Sequence, residues 1–145
     1  MKIFIEDVKP GEDEEIIIRC RKLNATTLKL ISELKTSDNK LTGMKDGSIT
    51  VIDPHSVYYF ESVDNKVYIY TKQNVYETKM KLYELETRYE HTDFFRASKS
   101  IILDITKIRS VSPAYSGRFE ALLLNGEKII ISRQYVPFLK KKLTL

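Results

Sequence analysis

The chain opens on two apolar runs bracketed by charge. Lys2-Ile3-Phe4-Ile5-Glu6 predicts a strand, and Ile16-Ile17-Ile18-Arg19-Cys20, rich in β-branched residues, predicts a second. Pro10-Gly11 and the acidic run from Glu12 to Glu15 between them predict a turn and a solvated surface. Asn24 can cap a helix starting near Ala25, with Leu28, Ile31 and Leu34 on one face. That helix should stop before Ser37-Asp38-Asn39. Residues 1–45 thus read as a strand-strand-helix extension, too short to be a clear domain of its own.

From Gly47 the pattern shortens. Ser48 to Asp53, Val57 to Ser62, Val67 to Thr71 and Val75 to Thr78 predict four strands. Asp64-Asn65-Lys66 and Lys72-Gln73-Asn74 serve as turn material. Met80, Tyr83, Leu85 and Tyr89 suggest one helix, and Phe94-Phe95 a hydrophobic anchor. Ile101-Ile102-Leu103 and Lys107 to Val111 follow as strands, with a loop at 113–117. Arg118 to Leu124 and Glu127 to Ser132 predict a hairpin closed by Asn125-Gly126, where both residues tolerate the positive φ of a tight primed turn. A terminal helix should run from Tyr135 or Val136 to Leu143, with Pro137 in its first turn. The sum is a mostly-β domain over 46–145 with few short helices and no long helix pair. Any nucleic-acid contact must therefore come from loops and strand ends.

Composition changes this picture in one respect. The net charge is +4 overall. Residues 1–45 carry 9 Lys/Arg against 8 Asp/Glu, residues 46–95 carry 5 against 9, and residues 96–145 carry 10 against 3. The net values are +1, -4 and +7, so the positive field sits in the last third, where a phosphate-attracting face would put it. An uneven solvated surface would give the same count. No apolar run has the length of a membrane span or an export signal, and one cysteine gives no disulfide framework; a cytoplasmic protein is expected.

Candidate chemistry is sparse. His55 and His91 have no ligand spacing, so neither a metal site nor a cofactor is expected. No phosphate loop or nucleophile elbow occurs, and an enzyme is the least favoured class. Cys20 reads as a buried strand thiol, and Glu84 and Glu86 read as surface charge. The basic segments are more definite. Arg96-Ala97-Ser98-Lys99-Ser100 follows the Phe anchor; Lys99 can reach a phosphate or a guanine edge, and the serines can donate to phosphate. Ser132-Arg133-Gln134 lies between hairpin and terminal helix. Ser132 can cap that helix, while Arg133 suits guanine and Gln134 adenine. Lys140-Lys141-Lys142 adds diffuse attraction or is simply a helix end favoured by the dipole.

Taken in order, Ser56 to Ser62, Phe94 to Leu103, Leu124-Asn125-Gly126-Glu127-Lys128 and Ile131 to Pro137 resemble the LytTR (LytR/AgrA-type) DNA-binding family over 46–145. The resemblance implies a fold of several small antiparallel sheets whose loops enter successive major grooves. It implies a bacterial transcription regulator bound to promoter duplex, often as two copies on paired repeats. The contact residues it implies are Lys99 and Arg133 foremost, then Lys66; Arg96, Ser98, Ser100 and Gln134 join them as DNA-binding candidates from the chemistry of the two basic segments. Two departures stand out: Ser98 where the family commonly has histidine, and Asp104 where it commonly has asparagine. An acid there would repel phosphate, so Asp104 should turn inward or cap a turn. With about 45 residues before the domain, the chain resembles the short regulators without a receiver domain, a group often paired with a small restraining membrane protein.

Three readings compete. A DNA-binding regulator would cluster Arg96, Lys99, Arg118 and Arg133 on one face. A protein-interaction module would scatter them and expose Tyr58 and Tyr59. An RNA binder would use Tyr68 and Tyr70 as a stacking platform. Residues 1–45 would serve dimerisation or control, or Ile3 to Ile5 and Ile16 to Ile18 would complete the core.

Overall fold

The computed structural model describes residues 2–36 and 40–144. The helix near Ala25 forms as α1 (Ala25–Thr36). Asn24 caps it: its Oδ1 accepts from the Thr27 amide at 2.9 Å. The stop expected at Ser37-Asp38-Asn39 lies outside the described residues. The two strands expected before α1 do not form. Residues 2–9 and 12–20 carry no regular secondary structure and join no ladder, and every residue from Lys2 to Thr26 is exposed. Ile3, Phe4 and Ile5 are 82%, 82% and 91% exposed, so they do not complete the core. Cys20 is an exposed thiol rather than a buried one.

Ten strands follow. A seven-stranded antiparallel sheet holds β1 (Leu41–Lys45), β2 (Ser48–Ile52), β3 (Val57–Val63), β4 (Lys66–Thr71), β5 (Val75–Thr78), β6 (Phe94–Arg96) and β7 (Ile101–Asp104), in the order β2-β1-β5-β4-β3-β7-β6. A second sheet holds β8 (Ile108–Pro113), β9 (Phe119–Leu123) and β10 (Lys128–Ile131) in the order β10-β9-β8. Two short helices complete the fold, α2 (Leu82–Arg88) and α3 (Val136–Lys142). β1 lies before position 46, so the sheet reaches back into the stretch read as extension.

The large sheet is buried on both faces around β3, β6 and β7, while its β1–β2 end leaves Ile49 and Val51 open to solvent, and strand alternation decides which residue goes where. Phe60, Ile69, Phe94 and Ile102 join Leu82, Leu85 and Tyr89 in one core under α2. Tyr59, Phe95 and Leu103 face the other way, onto Leu123, Ile131, Val136 and Leu139 of the small sheet and α3. The Phe94-Phe95 pair thus anchors β6 by sending one ring into each core. A register shift between Val57 and Tyr59 interrupts the alternation, so four consecutive residues of β3 are buried. Tyr58 and Tyr59, 7% and 6% exposed, are core residues and are not open to a protein partner.

Turn chemistry sets the loops. Asp64 and Asn65 have φ of 50° and 63°, and Asp46-Gly47 has 50° and 79°. Both are two-residue primed turns suited to sheet twist. The Asn125-Gly126 hairpin is real, but its turn differs from expectation. Only Gly126 has positive φ, at 90°. Its amide donates to Leu123 O at 3.0 Å and the Leu123 amide to Glu127 O at 2.8 Å. The result is a three-residue loop ending in a left-handed glycine, the bulged alternative to a primed turn. α1 is tied to the sheet domain by Lys29, whose Nζ donates to Asp93 Oδ1 at 2.8 Å, and by Ser32 donating to Glu90 O at 2.8 Å.

Candidate nucleic-acid interface

Lys99 sits at the tip of the tight turn joining β6 to β7. The amides of Ala97 and Ser98 both donate to Ile101 O, at 2.9 and 3.3 Å. Ala97 is fully buried in the second core, so the turn grows from a fixed base. Ser98 works within the turn: its Oγ accepts from the Ser100 amide at 3.2 Å and lies 3.4 Å from Ser100 Oγ. Lys99 is exposed.

Arg96 is differently placed. Its Nε lies 2.6 Å from Glu86 Oε2, and its Nη1 donates to Lys99 O at 3.3 Å. The guanidinium therefore links α2 to the turn and supports the residue at its tip. Glu86 is accordingly more than solvated charge. Glu84 accepts the Lys81 amide at 3.2 Å, closing the first turn of α2.

The second segment is joined to the first through the backbone. The Ser132 amide donates to Ala97 O at 2.9 Å, which pins the β10–α3 junction beside the Lys99 turn. Ser132 stands at the cap position of the 3-10 turn Arg133–Tyr135, but its side chain makes no capping bond; its carbonyl accepts the Tyr135 amide at 2.9 Å. Val136 and Leu139 hold α3 in the core, so Arg133 and Gln134 project from a fixed junction, both exposed.

Lys66 belongs to the same rim. The Ser62 amide at the end of β3 donates to Ser100 O at 2.8 Å, so the β3–β4 turn lies alongside the Lys99 turn. Asp64 shares that turn and offsets the lysine charge.

A fourth loop at this rim was legible only as a loop. The β8–β9 turn, Tyr115–Gly117, has Ser116 at φ 59° and Gly117 at φ 75°. A Cβ on Gly117 would stand 3.2 Å from both Cγ and Cδ of Arg133, so the arginine stem lies across the bare glycine. Arg118 follows, exposed, and Tyr115 is 88% exposed. The signal available in sequence was the glycine directly before an arginine.

The Lys99 turn and the Arg133 junction thus lie side by side, with Arg118 next to the glycine that Arg133 crosses, whereas Arg96 is held by Glu86. None of Lys66, Lys99, Arg118 and Arg133 is ion-paired among the described residues. Asp104 is 4% exposed and turned inward, accepting from the Thr106 amide at 2.8 Å and its hydroxyl at 2.7 Å. No carboxylate from that position reaches the rim. The lysine run of α3 is partly committed elsewhere. Lys140 lies over the Phe119 ring at 5.6 Å, and Lys142 donates to Thr92 O, its pKa lowered chiefly by desolvation. Tyr70 stacks on Tyr59 with centroids 4.3 Å apart, so it is no open platform for bases.

No described helix is long and apolar enough to cross a membrane. A family model for the LytTr DNA-binding domain matches residues 47–144. The chain is 27% identical over 146 residues to the sensory transduction protein LytT of Bacillus anthracis, covering 95% of this chain and 59% of that protein. It is 31% identical over 97 residues to LytT of Enterococcus faecalis, covering 67% and 40%. It is 23% identical over 125 residues to the transcriptional regulatory protein YpdB of Escherichia coli, covering 82% and 51%. The chain therefore spans 40% to 59% of the length of these relatives. Among solved structures, the LytTr DNA-binding domain of a Bacillus cereus response regulator superposes with a TM-score of 0.69 at 24% identity, covering 73% of this chain and 97% of that one. That likeness concerns the fold. With two thirds of its length matched by the family model, this chain belongs to the LytTR family of DNA-binding domains.

Proposed function

We propose that this protein is a non-enzymatic transcription regulator that reads duplex promoter DNA with the rim carrying Lys99 and Arg133. The observation that carries the reading is the Ser132–Ala97 backbone hydrogen bond. It fixes two exposed, unpaired cations from distant parts of the chain at one edge of a rigid core. Arg133 has the planar fork for a guanine edge, and Gln134 beside it can pair with adenine. Lys99 reaches phosphate or guanine. Arg118 adds phosphate contact, and Lys66 with its neighbour Asp64 contributes less. Ser98 and Ser100 shape the Lys99 turn, and Arg96 supports it. The net +7 of residues 96–145 supplies the long-range attraction.

Reading two grooves with loops gives one copy a short site, so two copies on paired repeats fit this reading best. Selection of bound duplexes from a random pool tests it. Two copies of one motif, separated by a fixed spacing near a multiple of about 10.5 base pairs, are expected. Recovery of no motif would refute the reading and favour a protein-interaction module.

A further inference from the structure

The segment before α1 is exposed and carries neither helix nor strand, with a bend at Arg21-Lys22, yet its charge pattern is ordered. Four acids, Glu12 to Glu15, precede Ile16-Ile17-Ile18, and Arg19, Arg21 and Lys22 follow it. We infer that residues 12–22 are a self-complementary strand that joins two copies of this chain by antiparallel pairing about Ile17.

The register follows from charge. With Ile17 opposite Ile17, Ile16 faces Ile18, Glu15 faces Arg19, Asp13 faces Arg21 and Glu12 faces Lys22 of the second copy. Every charged pair is then opposite in sign except Glu14, which faces the neutral Cys20. A shift by one residue puts Arg19 opposite Ile16 in one direction, or Glu15 opposite Ile18 in the other. Opposite charges across strands stabilise and charge against isoleucine does not, so one register is selected. The pairing also gathers Ile16 and Ile18 of both copies on one face.

Residues 2–9 and 12–20 do not pair with each other in the structure. The Glu12 amide donates to Lys9 O at 3.0 Å around Pro10 and Gly11, whose φ is 91°. This is a type II arrangement, which splays strands rather than matching their twist. A hairpin from that turn would set Ile3, Phe4 and Ile5 against Ile18, Ile17 and Ile16, but at the cost of Glu6 against Glu15, Asp7 against Glu14 and Lys2 against Arg19, three like-charge pairs that the pairing of two copies avoids. The strand is thereby left open to a second copy, with Ile3, Phe4 and Ile5 available on the arm before the turn to cover the isoleucine face.

This inference deepens the two-copy part of the proposed function, and its test uses no DNA. A failure here is therefore separable from a failure of DNA binding. Each of Ile16→Cys, Ile17→Cys and Ile18→Cys is made in full-length protein carrying Cys20→Ser, then oxidised mildly. Only the Ile17→Cys thiols fall directly opposite each other; the other two are diagonal, at about 7–8 Å between Cα atoms, beyond ready disulfide reach. The expected result is a linked dimer for Ile17→Cys and several-fold less for its neighbours. In sedimentation, Glu15→Arg is expected to weaken the dimer about tenfold, and Glu15→Arg with Arg19→Glu to restore it. A monomeric wild-type mass, equal linking at all three positions, or failure of the double reversal to rescue would overturn the inference.

Discussion

The side chain of Arg133 rests on Gly117, so close that a methyl group on the glycine would stand 3.2 Å from the arginine Cγ and Cδ and the stem would have to give by a few tenths of an ångström. The two residues lie on different connections, β8–β9 and β10–α3, and the arginine stem passes over the open side of the glycine. Gly117 also has φ of 75°, where a non-glycine residue is strained. Gly117→Ala should therefore cost about 1 kcal/mol of stability through strain and displace Arg133. Loss of specific DNA binding is expected with wild-type Arg133 but no further loss in an Arg133→Ala background. A double-mutant cycle on duplex affinity checks this; additive effects would show that Gly117 does not act through Arg133.

Glu86 presents a test with opposite signs. Removing an acid near a DNA-binding rim should raise affinity if the acid merely repels phosphate. If Glu86 holds Arg96, and Arg96 holds the Lys99 carbonyl, then Glu86→Gln should lower it. The partly exposed ion pair is worth at most about 1 kcal/mol, so a two- to fivefold loss of specific affinity is expected, with an unchanged salt slope because no phosphate contact is lost. Titration of one duplex across several salt concentrations separates the two outcomes.

Asp104 is buried and accepts two hydrogen bonds from Thr106. Asp104→Ala should destabilise the fold by roughly 0.5–2 kcal/mol, since it removes the side chain that caps the 3-10 turn Ile105–Lys107. Asp104→Asn, the residue the family pattern commonly has here, keeps an acceptor and should cost less. Urea denaturation ranks the two; equal losses would mean that the charge rather than the acceptor matters.

Alkaline pH should unfold the protein through its buried phenols. Burial, followed by the 2.7 Å hydrogen bond to Glu127, raises the Tyr59 pKa well above its ordinary 10.0, and burial raises that of Tyr89 against the opposing effect of Arg88. A pKa raised on folding contributes stability that is intact below the unfolded value and is lost as pH climbs beyond it. Stability should hold to about pH 10 and then fall by about 1.4 kcal/mol per pH unit for each such phenol. Tyr59→Phe should flatten this slope by one proton, as read from denaturant midpoints between pH 9 and 11. An unchanged slope would exclude Tyr59 as a source.

Much of the domain was legible because strand alternation and turn residues carry strong local signals. The strands from Ser48 to Ile131 other than β6, both later helices and the Asn24 cap follow from residue pattern alone, whereas β6 reads only as a hydrophobic anchor and β1 is missed. What failed is instructive. Ile3 to Ile5 and Ile16 to Ile18 have strand composition, but a strand needs a neighbour, and propensity does not say whether one exists. Asn125-Gly126 gives a hairpin signal that does not distinguish a two-residue turn from a three-residue one. At the rim, sequence marks Lys99 and Arg133 as candidates but cannot see that Arg96 is bound to Glu86. Nor can it see that Gly117 lies under Arg133, because both relations join residues far apart in the chain.

Lys99 and Arg133 are proposed to read duplex DNA from one rim. The most direct test compares wild type with Lys99→Ala, Arg133→Ala and Lys66→Ala on a selected duplex and a scrambled one at fixed salt. The account predicts that Arg133→Ala narrows the gap between the duplexes, by about 1–3 kcal/mol for a bidentate base contact. Lys99→Ala should weaken binding to the selected duplex, and Lys66→Ala should change both duplexes little. Full preference for the selected duplex in both Lys99→Ala and Arg133→Ala would contradict it and place the reading surface elsewhere on the domain.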